Sequence, residues 1–369
     1  MKKHITWIQH KLGIQHKLGL QHKLQIQPKA WILILFVMAA LFGGCGRDSD
    51  HTEAQAENPP EPSVVVGFSQ LGAESDWRSA NTDSMLQTFT RENGYTLIYE
   101  NGQQQQSKQI TAIRKFIQQD VDYIVLAPEK ETGWESVLEE ARNAEIPVII
   151  VDRRVAAADK NLYTCWVGSD FELEGKKMCA WLGSFAEAHG IAPEELHIVN
   201  IQGTIGSTAQ IGRTRGLANA ARENGWDLME EISGDFTETR GREVMSMLLD
   251  KYDNLNVVYC ENDNMALGVL DAIEEAGRTA GSDIANGEIM VVSFDGVNEE
   301  ARELARAGKI SCIAECNPLH GPRVEALIRQ LEAGEEPEKH NYVDEKIFSA
   351  EEAVREIEID GVTYKVEKP

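Results

Sequence analysis

Arg91-Glu-Asn-Gly-Tyr-Thr-Leu97 is read a second time, 131 residues further on, as Arg222-Glu-Asn-Gly-Trp-Asp-Leu228. In each copy the glycine stands where a helix would end in a left-handed cap, and a strand begins just after it. Working back from each copy, a helix over 76–92 follows the β-branched run Val64-Val-Val-Gly-Phe68, and a helix over 208–223 follows a strand over 198–201. Working forward, the first half continues as strand 95–99, helix 107–118, strand 123–126, helix 134–144 and strand 148–151. The second half continues as helix 238–251, strand 257–260, helix 264–275 and strand 289–293, with a helix over 173–188 between the halves. Alternation of this kind means βαβ units and parallel sheets covered by helices on both faces. A further parallel sets Val148-Ile-Ile-Val-Asp152 beside Val291-Val-Ser-Phe-Asp295, each with an aspartate just past a buried strand. Three echoes in register argue for an α/β chain of two similarly and doubly wound lobes. Near the end, Ile357-Glu-Ile-Asp-Gly361-Val-Thr-Tyr-Lys-Val366 reads as a hairpin around Asp-Gly.

A length of 369 residues suits two domains. The 36 Lys and Arg against 60 Asp and Glu leave a net charge of −24, but that charge is unevenly placed. Residues 1–44 hold six lysines and no acid, so the remainder carries −30. So acidic a body cannot neutralise a polyphosphate backbone, which excludes nucleic acid as a partner. After Lys29 come thirteen apolar residues, Ala30 to Phe42, followed by Gly43-Gly44-Cys45. They are too short for a membrane span and the right length for a signal-peptide core behind a positive flank. The alternative is an uncleaved anchor with an incidental cysteine. In front of the core, Ile8-Gln-His-Lys-Leu-Gly13 is repeated at Ile14 and, nearly, at Leu20. We read that as a duplicated tract or a misassigned start rather than a metal site. Residues 45–63, containing Asn58-Pro-Pro-Glu-Pro62, read as a flexible tether.

Five cysteines remain in the body: Cys165, Cys179, Cys260, Cys312 and Cys316. Outside the cytoplasm an odd number leaves at least one unpaired, and the sequence leaves the pairing open. No C-x-x-C or H-E-x-x-H spacing is present, so neither metal nor cofactor is expected.

Ligands of open α/β sheets bind beyond the carboxyl ends of the strands. The segments there are Ser69 to Arg78 with Trp77, Asp152-Arg153, Gly203-Thr-Ile-Gly-Ser207, Asp235-Phe236, Glu261-Asn262-Asp263 and Asp295-Gly296. Planar carboxylate, amide and guanidinium groups bridge adjacent hydroxyls, and an aromatic face covers the C–H side of a sugar ring. Each member also has a plain structural reading: Trp77 as core, Asp152-Arg153 as a local ion pair, the glycine segment as a tight turn. No Gly-Lys-Ser/Thr loop, nucleophile elbow or free carboxylate pair argues for an enzyme.

The whole of 64–345 resembles the periplasmic sugar-binding proteins of the ribose/galactose class that serve ABC transporters, and within it the galactofuranose-binding subgroup. The likeness lies in Val66-Gly-Phe-Ser-Gln70, Thr132-Gly-Trp-Glu135, Ala144-Glu-Ile-Pro147, Asp152-Arg153, Gln202-Gly-Thr204, Ser233-Gly-Asp-Phe-Thr237 and Asn262-Asp263. Gly44-Cys45 likewise resembles a lipobox, which implies lipid attachment at Cys45 and an extracytoplasmic, membrane-anchored protein. The resemblance implies two lobes joined by a three-strand hinge, with a cleft between them closing on one monosaccharide. It divides the chain into 64–168 plus about 316–345, and 169–315 plus about 346–369. It implies Trp77 stacking on the sugar, with Arg78, Asp152, Arg153, Arg213, Phe236, Asn262, Asp295 and Glu315 as further ligand-binding residues. Ile211 stands where ribose binders carry an arginine, and Glu315 where they carry a glutamine, which points away from ribose toward another neutral sugar. The implied partner is a membrane permease, and the implied state a monomer. A sensory receptor presenting the same closed form to a histidine kinase or chemoreceptor is the rival. A DNA-binding regulator of similar core would need a helix-turn-helix where this chain has its leader.

Overall fold

The computed structural model describes residues 64–369; the leader over 1–44, Cys45 and the tether over 45–63 lie outside the described residues. In chain order the first elements are β1 (Val64–Gln70), α1 (Asp76–Thr88), β2 (Tyr95–Asn101), α2 (Gln106–Gln118), β3 (Tyr123–Leu126), α3 (Glu135–Asn143), β4 (Val148–Val151) and β5 (Cys165–Gly168). Next come α4 (Phe171–His189), β6 (His197–Gln202), α5 (Thr208–Asn224), β7 (Asp227–Ser233), α6 (Glu238–Lys251) and β8 (Val257–Cys260). Then follow α7 (Asp263–Glu275), β9 (Met290–Asp295), α8 (Glu299–Arg306) and β10 (Cys312–Glu315). The chain ends through α9 (His320–Glu332), β11 (His340–Tyr342), β12 (Ile347–Phe348), β13 (Glu356–Ile359) and β14 (Val362–Glu367).

Two sheets result. Their orders are β11-β5-β4-β3-β1-β2 and β13-β14-β12-β10-β9-β8-β6-β7. The runs 5-4-3-1-2 and 10-9-8-6-7 are the same winding, with every pair in them parallel. Echoing sequence thus becomes echoing topology. The chain passes from one sheet to the other three times: after Gly168, after Glu315, and between Tyr342 and Ile347.

Strand periodicity places the cores. In the first sheet, Val66, Phe68, Val125 and Val151 face α9 residues Val324 and Ile328, while Ile124, Leu126 and Ile150 face Phe116 and Leu138. In the second, Val199, Ile201 and Val258 pack under α6 and α7, and Tyr259, Val292 and Phe294 pack under α4 and α5. Each such aliphatic side chain contributes about 1.5–3 kcal/mol when fully buried. Helix α9, arriving from the other lobe, seats on α1 at backbone distance: a Cβ on Gly321 would lie 2.2 Å from the Ser84 carbonyl oxygen.

The repeated glycines act as expected, with φ of 87° at Gly94 and 77° at Gly225. The helices before them differ. α5 runs unbroken to its glycine, whereas α1 stops at Thr88 and a short 3-10 turn, Arg91–Asn93, intervenes. Thr90 starts that turn by accepting from the Asn93 amide, an arrangement that competes with continuing the helix. The Asp-Gly hairpin forms as β13 and β14, with positive φ at both Asp360 and Gly361. Strands β5, β7, β11 and β12 and helices α8 and α9 are additional to the elements expected from sequence, and β11 and β12 are only three and two residues long. All five body cysteines are free thiols and buried. No helix among the described residues is long and apolar enough to cross a membrane.

Candidate functional site

Carboxyl ends of both sheets converge on one cavity, lined by Trp77, Arg78, Asp152 and Arg153 from the first and by Arg213, Phe236, Asn262 and Asp295 from the second. It holds about 290 Å³ of empty space, open solvent at the mouth included. Helix starts set several of these side chains. Ser75 caps α1 by accepting from the Arg78 amide, which aims Trp77 and Arg78 inward. Asn262 caps α7 through the Met265 amide, and its own amide donates to the Phe236 carbonyl at 3.1 Å. The echoing aspartates are both strained: Asp152 has φ of 63° and Asp295 of 95°, and Phe236 is also left-handed at 60°. Each such residue costs about 1–3 kcal/mol, and strain of this kind concentrates at ligand sites. Phe236 further needs a glycine opposite it, since a Cβ on Gly203 would lie 1.9 Å from its ring.

Three arginines are buried here among acids. Arg78 donates to Asp152 at 2.5 Å, and Arg153 donates to Glu74 at 2.5 Å and to the Glu129 carbonyl at 3.1 Å. Arg213 reaches Glu174 at 2.7 Å, Asp295 at 3.2 Å and the Glu261 carbonyl. Burial works against the charge on Asp152, but Arg78 and Arg153 outweigh it and hold the carboxyl below its usual range. Burial dominates at Asp295 and pushes its carboxyl up in spite of Arg213. The arginines are incompletely used: Nε and Nη1 of Arg78 and Nε of Arg153 are buried with no partner among the described residues. A buried unsatisfied N–H costs about 1–3 kcal/mol, and these donors belong to two side chains that line the cavity.

Ring faces complete the lining. The Trp77 indole donates to the Cys316 carbonyl at 2.6 Å and meets His320 edge-on at 5.7 Å between centroids. Across the cavity, Arg153 lies 5.6 Å over the Phe236 ring. The lobes also touch at the rim, where the Arg154 amide donates to Thr208 at 3.1 Å. Asp76 pairs there with Asn264 at 3.1 and 3.3 Å, and accepts from the Asn298 amide group.

Eight of the nine side chains expected from sequence therefore share one cavity. Glu315 does not line it; its carboxylate accepts instead from the Lys346 amide at 2.9 Å and from Asn317 at 3.2 Å, binding two crossings together. Glu74, Ser75, Phe171, Ala209 and Cys316 line the cavity unforeseen. Glu74 and Ser75 lie inside the segment Ser69 to Arg78 already marked by Trp77; Phe171, Ala209 and Cys316 carry no strand-end signal. With Glu74 in place of Glu315, three acids and three arginines line the cavity. The lining thiol, Cys316, is pushed well up by burial and is no nucleophile.

Two sheets of equal winding, three crossings and a cleft of donors, acceptors and ring faces define a two-lobed ligand-binding protein. Residues 66–320 match the periplasmic binding protein domain, and the chain belongs to that family. It is 37% identical over 300 residues to the galactofuranose-binding protein YtfQ of Escherichia coli, across 80% of this chain and 91% of that one. A Mycobacterium smegmatis protein solved with β-D-fucofuranose superposes with a TM-score of 0.73 at 36% identity, covering 79% of this chain and 93% of the other. The binding component of the arabinose ABC transporter of Shewanella sp. ANA-3, bound to L-arabinofuranose, superposes at 0.71 with 34% identity, covering 79% and 93%. Proteins of this family bind and release solutes outside the cytoplasm; they are not enzymes.

Proposed function

We propose that this protein is the sugar-capturing component of an ABC importer, and that its ligand is a monosaccharide in furanose form, galactofuranose-like. The observation that carries the reading is the set of buried, unpartnered guanidinium donors of Arg78 and Arg153 facing a cavity floored by Trp77 and Phe236. One relative named for galactofuranose and two solved with furanose sugars bound support the ring form. In this reading Trp77 covers the C–H face of the sugar. Arg78, Arg153 and Asp152 hold hydroxyls from one lobe, and Arg213, Asn262 and Asp295 hold them from the other. Contact with both lobes favours the closed state, which a permease then recognises; no bond is made or broken. Lobe one comprises 64–168 and about 316–345, lobe two the rest of the body, and the protein works as a monomer held to the membrane by lipid on Cys45.

Calorimetric titration with galactofuranose, arabinofuranose, galactopyranose and ribose tests the ligand, with the furanoses expected to bind at least about 100-fold more tightly. A folded protein that takes up none of the four ends the proposal. Lipid attachment is read by labelling with radioactive palmitate: Cys45→Ser should abolish it, and equal labelling of both forms refutes the anchor.

A further inference from the structure

Beside the proposed sugar cavity, which Cys316 also lines, the three crossings meet at a buried group that the binding reading does not use. One carboxylate oxygen of Glu174, one of Glu345 and the Sγ of Cys316 all lie within 4.8 Å of one another, and all three residues are buried. Glu174 comes from the first turn of α4, Cys316 follows β10 at the second crossing, and Glu345 lies in the third. Ser169, at the first crossing, is 3.3 Å from the thiol and donates to Glu345 at 2.6 Å.

How the polar neighbours are spent is the informative part. Arg213 takes Oε2 of Glu174, while Oε1 is buried without a partner. Both donors that reach Glu345, the Ser169 hydroxyl and the Asn317 amide at 2.7 Å, go to its Oε1. Lys177 does not neutralise that carboxylate, because its ammonium donates to the Glu345 backbone carbonyl at 2.5 Å. Each glutamate is therefore oriented by hydrogen bonds on one oxygen, and Oε1 of Glu174 is left buried and unpartnered in the group. Carboxylates that ligate metals are held in this way by their outer neighbours.

We infer that Glu174, Cys316 and Glu345 form a binding site for one borderline-soft divalent cation of the zinc type, placed where the three crossings meet. Two oxygens and one thiolate suit zinc and not magnesium or calcium. Zinc bond lengths of about 2.0–2.3 Å put tetrahedral ligand atoms about 3.5 Å apart, so only a small inward movement is needed from the present spacing. The fourth position falls to Ser169 or water. No spacing in the sequence discloses such a site, since its ligands lie on three distant segments. The inference does not depend on which sugar is bound.

The test uses the full chain, stripped with chelator and loaded with Zn²⁺ or Co²⁺. The leader carries histidines and Cys45 a thiol, so the readout is the difference between wild type and Cys316→Ser, which share them. Wild type should retain one more equivalent of zinc after gel filtration and show a thiolate-to-cobalt charge-transfer band that the variant lacks. Glu345→Gln keeps the Ser169 and Asn317 bonds and should lose at least about 100-fold in zinc affinity. Zinc, and not magnesium, should raise the melting temperature of wild type more than that of either variant. Equal zinc content and equal cobalt spectra in wild type and Cys316→Ser would overturn the site. The two glutamates would then share a proton, and metal-free wild type would lose stability with rising pH where Glu345→Gln does not.

Discussion

Trp77 is held from both ends, by its indole N–H on the Cys316 carbonyl and by the His320 ring at its edge. A rigid ring loses little entropy when a sugar lies against it. Trp77→Ala should weaken sugar binding more than about 100-fold in calorimetry, and Trp77→Phe about 10-fold, the ring face surviving in the second. Wild-type affinity in Trp77→Ala would remove the tryptophan from the site. His320 supplies a second expectation. Burial lowers its pKa from 6.5 to about 4, so the folded protein binds fewer protons than the unfolded chain between those values. Its contribution is complete above about pH 6.5 and is lost as pH falls through 4, to a total of about 3 kcal/mol. Glu261 has the opposite sign: burial raises it from 4.5 to about 7, and its contribution, complete below 4.5, is lost as pH rises through 7. Denaturation midpoints against pH should show both limbs, with His320→Gln flattening the acid side and Glu261→Gln the alkaline side. An unchanged acid limb in His320→Gln would mean that another group sets it.

Helix α1 shows how one element serves cavity and rim together. Its cap, Ser75, orients Trp77 and Arg78, while Asp76, one residue earlier and exposed, reaches Asn264 at the start of α7 and Asn298 at the start of α8. Those contacts join the two lobes and touch no cavity-lining side chain. They exist only while the lobes are closed. Asp76→Ala should therefore speed sugar release about 3- to 10-fold, the worth of one or two hydrogen bonds, with little change in association. Stopped-flow measurements decide it, and an unchanged release rate refutes the clasp. Of this element the sequence disclosed the helix and Trp77, because the alternation of strands with longer segments and a strand-end position are local facts. The clasp was hidden, since Asp76 acquires partners only through residues 188 and 222 positions away.

On the proposed function, closure belongs to the whole molecule: solute contacts from both lobes shift the equilibrium toward the closed state, so binding and compaction are one event. Saturating sugar should reduce the radius of gyration in solution scattering and, at 100 times Kd, raise stability by about 2.7 kcal/mol. Binding with no compaction would mean that the lobes are already locked. The paired windings were legible because strand periodicity and glycine caps depend on neighbours in the chain: Gly94 and Gly225 mark strand starts wherever the lobes lie. The residues after each strand were legible for the same reason, once the sheets were known to be parallel. Glu315 marks the boundary of such reasoning, for a position read as touching the ligand ties the crossings instead, one residue before Cys316, which does line the cavity. What the sequence determined by itself was two doubly wound lobes and the strand-end residues that a ligand meets. Only the tertiary structure decided which guanidinium N–H groups stay unpaired, which acids balance them, and that Glu174, Cys316 and Glu345 converge. Those outcomes depend on distance and burial between remote segments, and no local pattern encodes either.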